Sequence, residues 1–344
     1  MIMESDLIPG LPEEIAIECL IRLTYKSHHL ARRVSKSWRS LIDGRDLYLL
    51  RRQSSQTHTV ACLVQALSSS TAEPTSAKPS RTTTAYGVTV FDPISNDWEL
   101  LPPIPIYPHG LPLFCQVVGT EGKLIVLGGW DPISWDPVKD VWVYDFRLGS
   151  WRRGSDMPCA RSFFAAGAVD GVVYVSGGHD ASKNALRTAS AYDVGKDVWV
   201  GLADMGEGRD ECEGVVVGKE FWVVGGYGTD AQGRFVGSAE VLDLGGGDGG
   251  WRRVEGVWDE GRCPRGCVGV GGDGERGVVS CADADAAVRV GTCAVRVGDC
   301  TVLTGSVSPG EANGVVLVRG GKREAVEVPG EFSGFVLCGC SVEI

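Results

Sequence analysis

The stretch Val172-Val173-Tyr174-Val175-Ser176-Gly177-Gly178-His179, followed by Ala189-Ser190-Ala191-Tyr192-Asp193 and then Trp199, decides the fold. An apolar β run stops at a glycine doublet, a second run ends in an aromatic-Asp pair, and a tryptophan follows that aromatic by seven residues (199 − 192). The same unit stands upstream as Gly128-Gly129, Tyr144-Asp145 and Trp151, and downstream as Gly225-Gly226, the weaker Leu242-Asp243 and Trp251. The doublets lie 49 (177 − 128) and 48 (225 − 177) residues apart. A half-unit, Phe91-Asp92 then Trp98, keeps the step of seven. A period of about 50 residues with four short β segments per unit marks the blade of a β-propeller.

Within the unit that begins at Arg161, strands are predicted at Ser162–Ala168, Val172–Ser176, Ala189–Tyr192 and Trp199–Leu202. The doublet after the second strand lets backbones crowd near the inner end of a blade. The aromatic and the tryptophan pack between adjacent blades. Past residue 262 the signature decays, but short β segments continue: Cys267–Val270, Val278–Cys281, Val288–Val290, Ala294–Val297, Thr301–Thr304, Val315–Val318 and Ala325–Val328. They suffice for two degenerate blades, so six blades are expected from residue 56 onward. The first blade lacks a strand before Thr59, and Gly334–Val342 is spare. The expectation is that this C-terminal strand fills the gap and closes the ring, because closure removes exposed sheet edges.

Composition agrees with many short strands and tight turns, since 48 glycines supply backbone that most residues cannot. No apolar run approaches the roughly 18 residues of a membrane span, and no basic and then apolar leader opens the chain. Twelve cysteines are scattered through apolar segments, as at Cys62, Cys115, Cys281 and Cys338, and read as reduced, buried thiols. Cys263/Cys267 and Cys338/Cys340 lack zinc-ligand spacing, so neither a metal nor a cofactor is expected. Residues 1–55 carry 9 basic and 7 acidic side chains; the rest carry 24 and 37, a net −13. An acidic large domain argues against nucleic acid as a partner. Two matches to GxGxxG, at 245–250 and 269–274, are followed by β segments and not by a helix, so they are turns and not phosphate loops. Residues 66–83, rich in Ser, Thr, Ala and Pro, are expected to be a disordered insertion within the first blade.

The N-terminal region differs from the rest. Leu11, Ile15, Cys19, Leu20 and Leu23 fall on one helical face, and Pro12-Glu13-Glu14 suits a first turn. Ser27 is placed to cap a second helix carrying Leu30, Val34, Trp38, Leu41 and Ile42, with Gly44 as a left-handed terminator. A third short helix is expected around Leu47–Leu50. Leu11-Pro12-Glu13-Glu14-Ile15, then Cys19-Leu20-Ile21-Arg22-Leu23, then Val34-Ser35-Lys36-Ser37-Trp38-Arg39-Ser40-Leu41-Ile42 resembles an F-box. The resemblance implies a three-helix F-box over 5–50, docking on a Skp-type adaptor and through it a cullin, with contacts from Leu11, Pro12, Ile15, Leu20, Val34, Trp38 and Leu41.

The repeats over 56–344 resemble kelch repeats. Gly110–Gln116, Gly128-Gly129-Trp130-Asp131-Pro132, Gly178-His179-Asp180, Arg209-Asp210-Glu211-Cys212 and Glu331-Phe332-Ser333-Gly334-Phe335 together look like a plant F-box/kelch-repeat subgroup. That resemblance implies a non-catalytic substrate receptor of a cullin-RING ubiquitin ligase in the cytoplasm or nucleus. Its implied target is phenylalanine ammonia-lyase of the phenylpropanoid pathway, a type-B cytokinin response regulator, or a related biosynthetic enzyme such as chalcone synthase. The loops from second to third strand are long (130–143, 179–191 and 227–241) and, with the connections between blades, emerge on one face. Trp130, Asp131, Trp135, Arg161, His179, Lys183, Arg209, Tyr227 and Arg262 are the candidate target contacts there. For the arginines a role as internal ties between blades is equally open. A non-degradative kelch scaffold and a propeller enzyme with a pocket built from distant residues are the competing classes.

Overall fold

The computed structural model describes residues 7–67, 84–246, 249–271, 276–280, 288 and 290–344. Most of the expected insertion, residues 68–83, lies outside the described residues, as do 247–248 and 272–275 of the two glycine-rich turns.

Four short helices open the chain where three were expected: α1 (Glu13–Ile21), α2 (Tyr25–Ala31), α3 (Lys36–Asp43) and α4 (Arg45–Gln53). The helix read through Ser27 to Asp43 is split because Ser35 turns extended and its hydroxyl accepts the Trp38 N–H at 3.0 Å, capping α3. Thr24 and not Ser27 precedes α2. Gly44 ends α3 at φ −71°, an extended conformation, and leads directly into α4. Ile21, Ala31, Ile42 and Leu47 close a small core, with Trp38 and Leu41 packed on its edge.

The other described residues are mainly β structure. The first blade holds β1 (Thr59–Ala66), β2 (Tyr86–Asp92) and β3 (Asp97–Leu100); the second holds β4 (Gln116–Thr120), β5 (Lys123–Leu127), β6 (Val141–Asp145) and β7 (Ser150–Gly154). The third has β8 (Ala165–Val169), β9 (Val172–Ser176), β10 (Ala189–Asp193) and β11 (Val198–Gly201), and the fourth β12 (Glu213–Val217), β13 (Glu220–Val224), β14 (Ala239–Asp243) and β15 (Trp251–Val254). Next come a two-stranded sheet of β16 (Cys267–Gly271) and β17 (Arg276–Ser280), and a last blade of β18 (Val290–Val297), β19 (Cys300–Ser306), β20 (Gly314–Arg319) and β21 (Lys322–Val326). The final strand, β22 (Val336–Glu343), runs antiparallel to β1 with Val60 opposite Val342, giving the order β22-β1-β2-β3.

The six-blade expectation is therefore corrected. Among the described residues five four-stranded sheets form five blades, the two-stranded sheet β16-β17 does not complete a sixth, and no sheet closes on itself. The two ends of the β region meet inside one open blade. The miscount has a physical source. Ala294–Val297, one of the seven segments counted toward two degenerate blades, is part of β18 and pairs with β19 as the first strand of the last blade. Parts of the expected strands Val278–Cys281 and Val288–Val290, at residues 281 and 289, lie outside the described residues.

The core is a series of clusters between blades. Val118, Ile125, Val143, Phe164, Val173 and Tyr192 join the second blade to the third. The recurring tryptophans act here as well. The indole N–H of Trp151 donates to Pro102 O (2.7 Å), that of Trp199 to Ser155 O (2.8 Å) and that of Trp251 to Ala203 O (2.8 Å), each reaching back to the preceding blade or its outgoing connection. Innermost strands β22, β4, β8, β12, β16 and β18 surround a central channel of about 360 Å³.

The helices sit on the face that carries the turns β4–β5, β6–β7 and β8–β9. Tyr25 enters the propeller core beside Val60 and meets Phe146 edge-on at 5.9 Å. Arg147 forks onto Asp145 (2.7 Å) and donates to Gly44 O (2.7 Å). Arg51 donates to Ile21 O and Leu23 O (2.6 Å each), the Tyr48 hydroxyl to Glu343 (3.0 Å), and Arg45 pairs with Glu121. Among the described residues no helix is long and apolar enough to cross a membrane.

Candidate functional site

The opposite face carries the second-to-third-strand loops and the connections between blades, and it holds a pocket of about 410 Å³. Three repeats build it, each from the same positions relative to its doublet. Trp130, His179 and Tyr227 each follow a Gly-Gly pair and bridge to Leu113, Ser162 and Asp210, which lead into β4, β8 and β12. One residue further on stand Phe114, Phe163 and Glu211, each two positions before its strand and each left-handed, with φ of +59°, +55° and +50°. Side chains with a Cβ adopt that conformation at a cost of about 1 kcal/mol or more. Three blades thus repeat one uncommon backbone state, and all six side chains line one cavity. Trp135, Lys183, Thr229 and Gln232 complete its rim.

The doublet makes this convergence possible. Gly178 has φ +78°, and a Cβ there would sit 2.4 Å from Ser162 O. Only glycine lets the loop turn that close to the next connection.

The pocket wall is braced by a relay. The Trp130 indole N–H donates to Ser162 Oγ (2.7 Å), Ser162 Oγ meets His179 Nε2 (2.9 Å), and His179 Nδ1 meets Asp210 Oδ1 (2.8 Å). With the indole as donor, the serine hydroxyl is assigned to donate to Nε2 and Nδ1–H to Asp210. The order resembles a nucleophile, base and orienting carboxylate. Ser162, however, is 0% exposed and its oxygen is capped by the indole, so this hydroxyl meets no substrate; the relay fixes ring positions. His179 is also held by Trp130 (6.2 Å, edge-on) and Phe163 (5.4 Å). The Tyr227 hydroxyl donates to Glu211 (2.8 Å), and burial together with that carboxylate pushes the phenol well above its usual range.

Of the residues singled out from sequence, Trp130, Trp135, His179, Lys183 and Tyr227 meet in this pocket. The others do not. Arg161 and Arg209 are each 1% exposed and lie as internal ties, one of the two roles their sequence left open. Arg161 donates to Gly177 O (3.0 Å) and Thr188 O (3.1 Å), and Arg209 to Gly225 O (2.7 Å), Ser238 O (3.1 Å) and Glu240 (3.3 Å). Each holds the carbonyls left over where its doublet interrupts the ladder. Asp131 folds its own loop by accepting the Ile133 and Ser134 N–H groups (2.8 Å each). Arg262 lies over the Trp258 ring at 5.8 Å, away from the pocket. Phe114, Phe163, Thr229 and Gln232 were missed. The two phenylalanines read as strand residues, although their register with Glu211 in successive repeats was a signal.

On the helical module Leu11 (37%), Ile15 (49%), Leu30 (57%) and Val34 (64%) are exposed, as is Pro12. Leu30 was not among the expected contacts. Leu20 was, but at 2% exposure it is core and touches nothing outside. Trp38 and Leu41 are half-buried, and the Trp38 indole donates to Leu7 O at 2.6 Å.

A helical module with uncovered apolar side chains is fixed to a propeller that carries a pocket on its far face, so two candidate binding surfaces lie at opposite ends. The F-box domain family matches residues 8–50, and the Kelch motif family matches 113–158 and 160–206. In Arabidopsis thaliana, F-box/kelch-repeat protein At2g44130 is 39% identical over 74% of this chain and 66% of its own length. F-box/kelch-repeat protein SKIP20 is 38% identical (74% and 68%), and F-box/kelch-repeat protein At1g15670 is 40% identical (70% and 67%). The chain spans about two thirds of the length of these relatives. It belongs to the F-box/kelch-repeat family.

Proposed function

We propose that this protein is the substrate-recognition subunit of a cullin-RING ubiquitin ligase. The observation that carries the reading is the exposure of Leu11 and Ile15, at the start of α1, and of Leu30 and Val34, at the end of α2 and just past it, beside a small core of Ile21, Ala31, Ile42 and Leu47. Such side chains are what a Skp-type adaptor would cover. The pocketed face would hold a protein target for ubiquitin transfer. The chain would contribute proximity and no chemistry, raising the effective concentration of a target lysine near the charged conjugating enzyme. By resemblance, the proposed targets are phenylalanine ammonia-lyase isozymes or type-B response regulators, met in the cytoplasm or nucleus.

The test is affinity capture from plant cells under proteasome inhibition, comparing the intact chain with an Ile15→Asp/Val34→Asp variant. The variant is expected to lose adaptor and cullin while retaining the partners of the propeller. Equal adaptor recovery from both, or none from either, sinks the receptor reading. For the target, phenylalanine ammonia-lyase should turn over faster on co-expression of the intact chain only; unchanged turnover removes that target.

A further inference from the structure

We propose that the pocket takes a cationic side chain, lysine or arginine, of the bound protein; the inference rests on reading this face as the target-binding surface. Its walls are aromatic: Phe114, Trp130, Trp135, Phe163 and Tyr227 surround one cavity. Ring faces carry negative charge density and attract a cation that slides between them. The inner wall adds two carboxylates, Asp210 and Glu211. Asp210 is engaged by His179 and by the Glu211 N–H (2.9 Å). Glu211 accepts the Tyr227 hydroxyl on one oxygen, and its other oxygen takes no hydrogen bond among the described residues. An apolar side chain entering here would strip water from that oxygen and return nothing. An acidic one would meet two like charges.

Opposing charge is sparse inside the cavity. Lys183 is exposed on the rim, and Arg265 lines the neighbouring channel mouth together with Glu211 and Glu213. The aliphatic stem of a lysine or arginine would lie along the rings while its charge reaches Glu211. The relay behind Trp130 and His179 fixes two of the walls, so the site is largely preformed.

The test titrates the full chain with N-acetyl-lysine methylamide, N-acetyl-arginine methylamide, and the norleucine and glutamate analogues. Indole N–H resonances of Trp130 and Trp135 report binding. The cationic probes should bind at least about fivefold tighter than norleucine. Glu211→Gln, which keeps shape and the Tyr227 contact, should bring that ratio close to one. Lys183→Gln should tighten cation binding, a change that loss of folding does not mimic. Equal or tighter binding of norleucine or glutamate, or no shift with any probe, overturns the proposal. Adaptor capture on the same preparations separates the two readings. Capture retained without cation preference sinks only the pocket assignment, and cation preference without capture sinks only the receptor.

Discussion

Buried His28 and half-buried Glu213 give this protein two opposing responses to pH. His28, on α2, is 1% exposed against the propeller, and burial together with Arg51 and Arg147 pushes its pKa down to about 4. The unfolded chain takes up that proton near 6.5, so His28 favours folding above that value and loses its contribution as pH falls toward 4. Glu213 faces the channel, and burial, partly offset by Arg265, pushes its pKa up to about 7. It favours folding below 4.5 and loses that contribution as pH rises toward 7. The two slopes oppose each other between about pH 4.5 and 6.5. Glu213→Gln should raise the melting temperature at pH 7.5, leave it nearly unchanged at pH 4.5, and expose the steeper acid dependence set by His28. A melting difference independent of pH would show that Glu213 is not held in this state.

At the scale of the element, the repeat reads as two sets of ties. The strand tryptophans reach back to the preceding blade, while Arg161 and Arg209 hold the carbonyls around their own doublets. The first blade depends on β22, which is paired along β1 from Thr59 to Gln65 and whose end is bonded to His58 through Ile344. Deleting residues 336–344 leaves the inner edge of β1 unpaired and uncovers Val60, Cys62 and Val64. The truncated chain should lose its single cooperative melting transition and expose dye-binding apolar surface. Unchanged melting would mean that β22 is dispensable.

For the whole molecule, the helices and the pocket occupy opposite faces with the channel between them. Their separation is useful only if the link is stiff, and the interface is built for that. Tyr25 is buried in propeller core, Arg147 binds the α3–α4 junction, and Tyr48 and Arg45 reach Glu343 and Glu121. An Arg45→Ala/Tyr48→Phe variant should keep adaptor and target affinities within about twofold, since neither residue lies in either proposed contact. It should speed hydrogen exchange in α4 and slow ubiquitin transfer to a bound target. Transfer at the original rate with faster exchange would show that stiffness here is irrelevant to the reaction.

Local chemistry determined much of this protein. Alternating apolar runs, Gly-Gly stops and a tryptophan seven residues after an aromatic are short-range patterns, and they specified blades without any knowledge of neighbours. The helical module was legible for the same reason, apart from the break that Ser35 makes by capping α3. The fate of residues chosen for their type was not legible. An arginine at a loop end looks the same in sequence whether it faces solvent or, like Arg209, fills a fully buried hole. Leu20 and Ile15 share one helix, and only the tertiary packing decided that Leu20 is sealed while Ile15 stays exposed. The pocket depends still more on the tertiary arrangement. Trp130, His179 and Tyr227 lie 49 (179 − 130) and 48 (227 − 179) residues apart, and they meet only because blade after blade turns about a common axis. No local propensity encodes that rotation. It follows from how each blade packs its inner strand and its tryptophan against the one before.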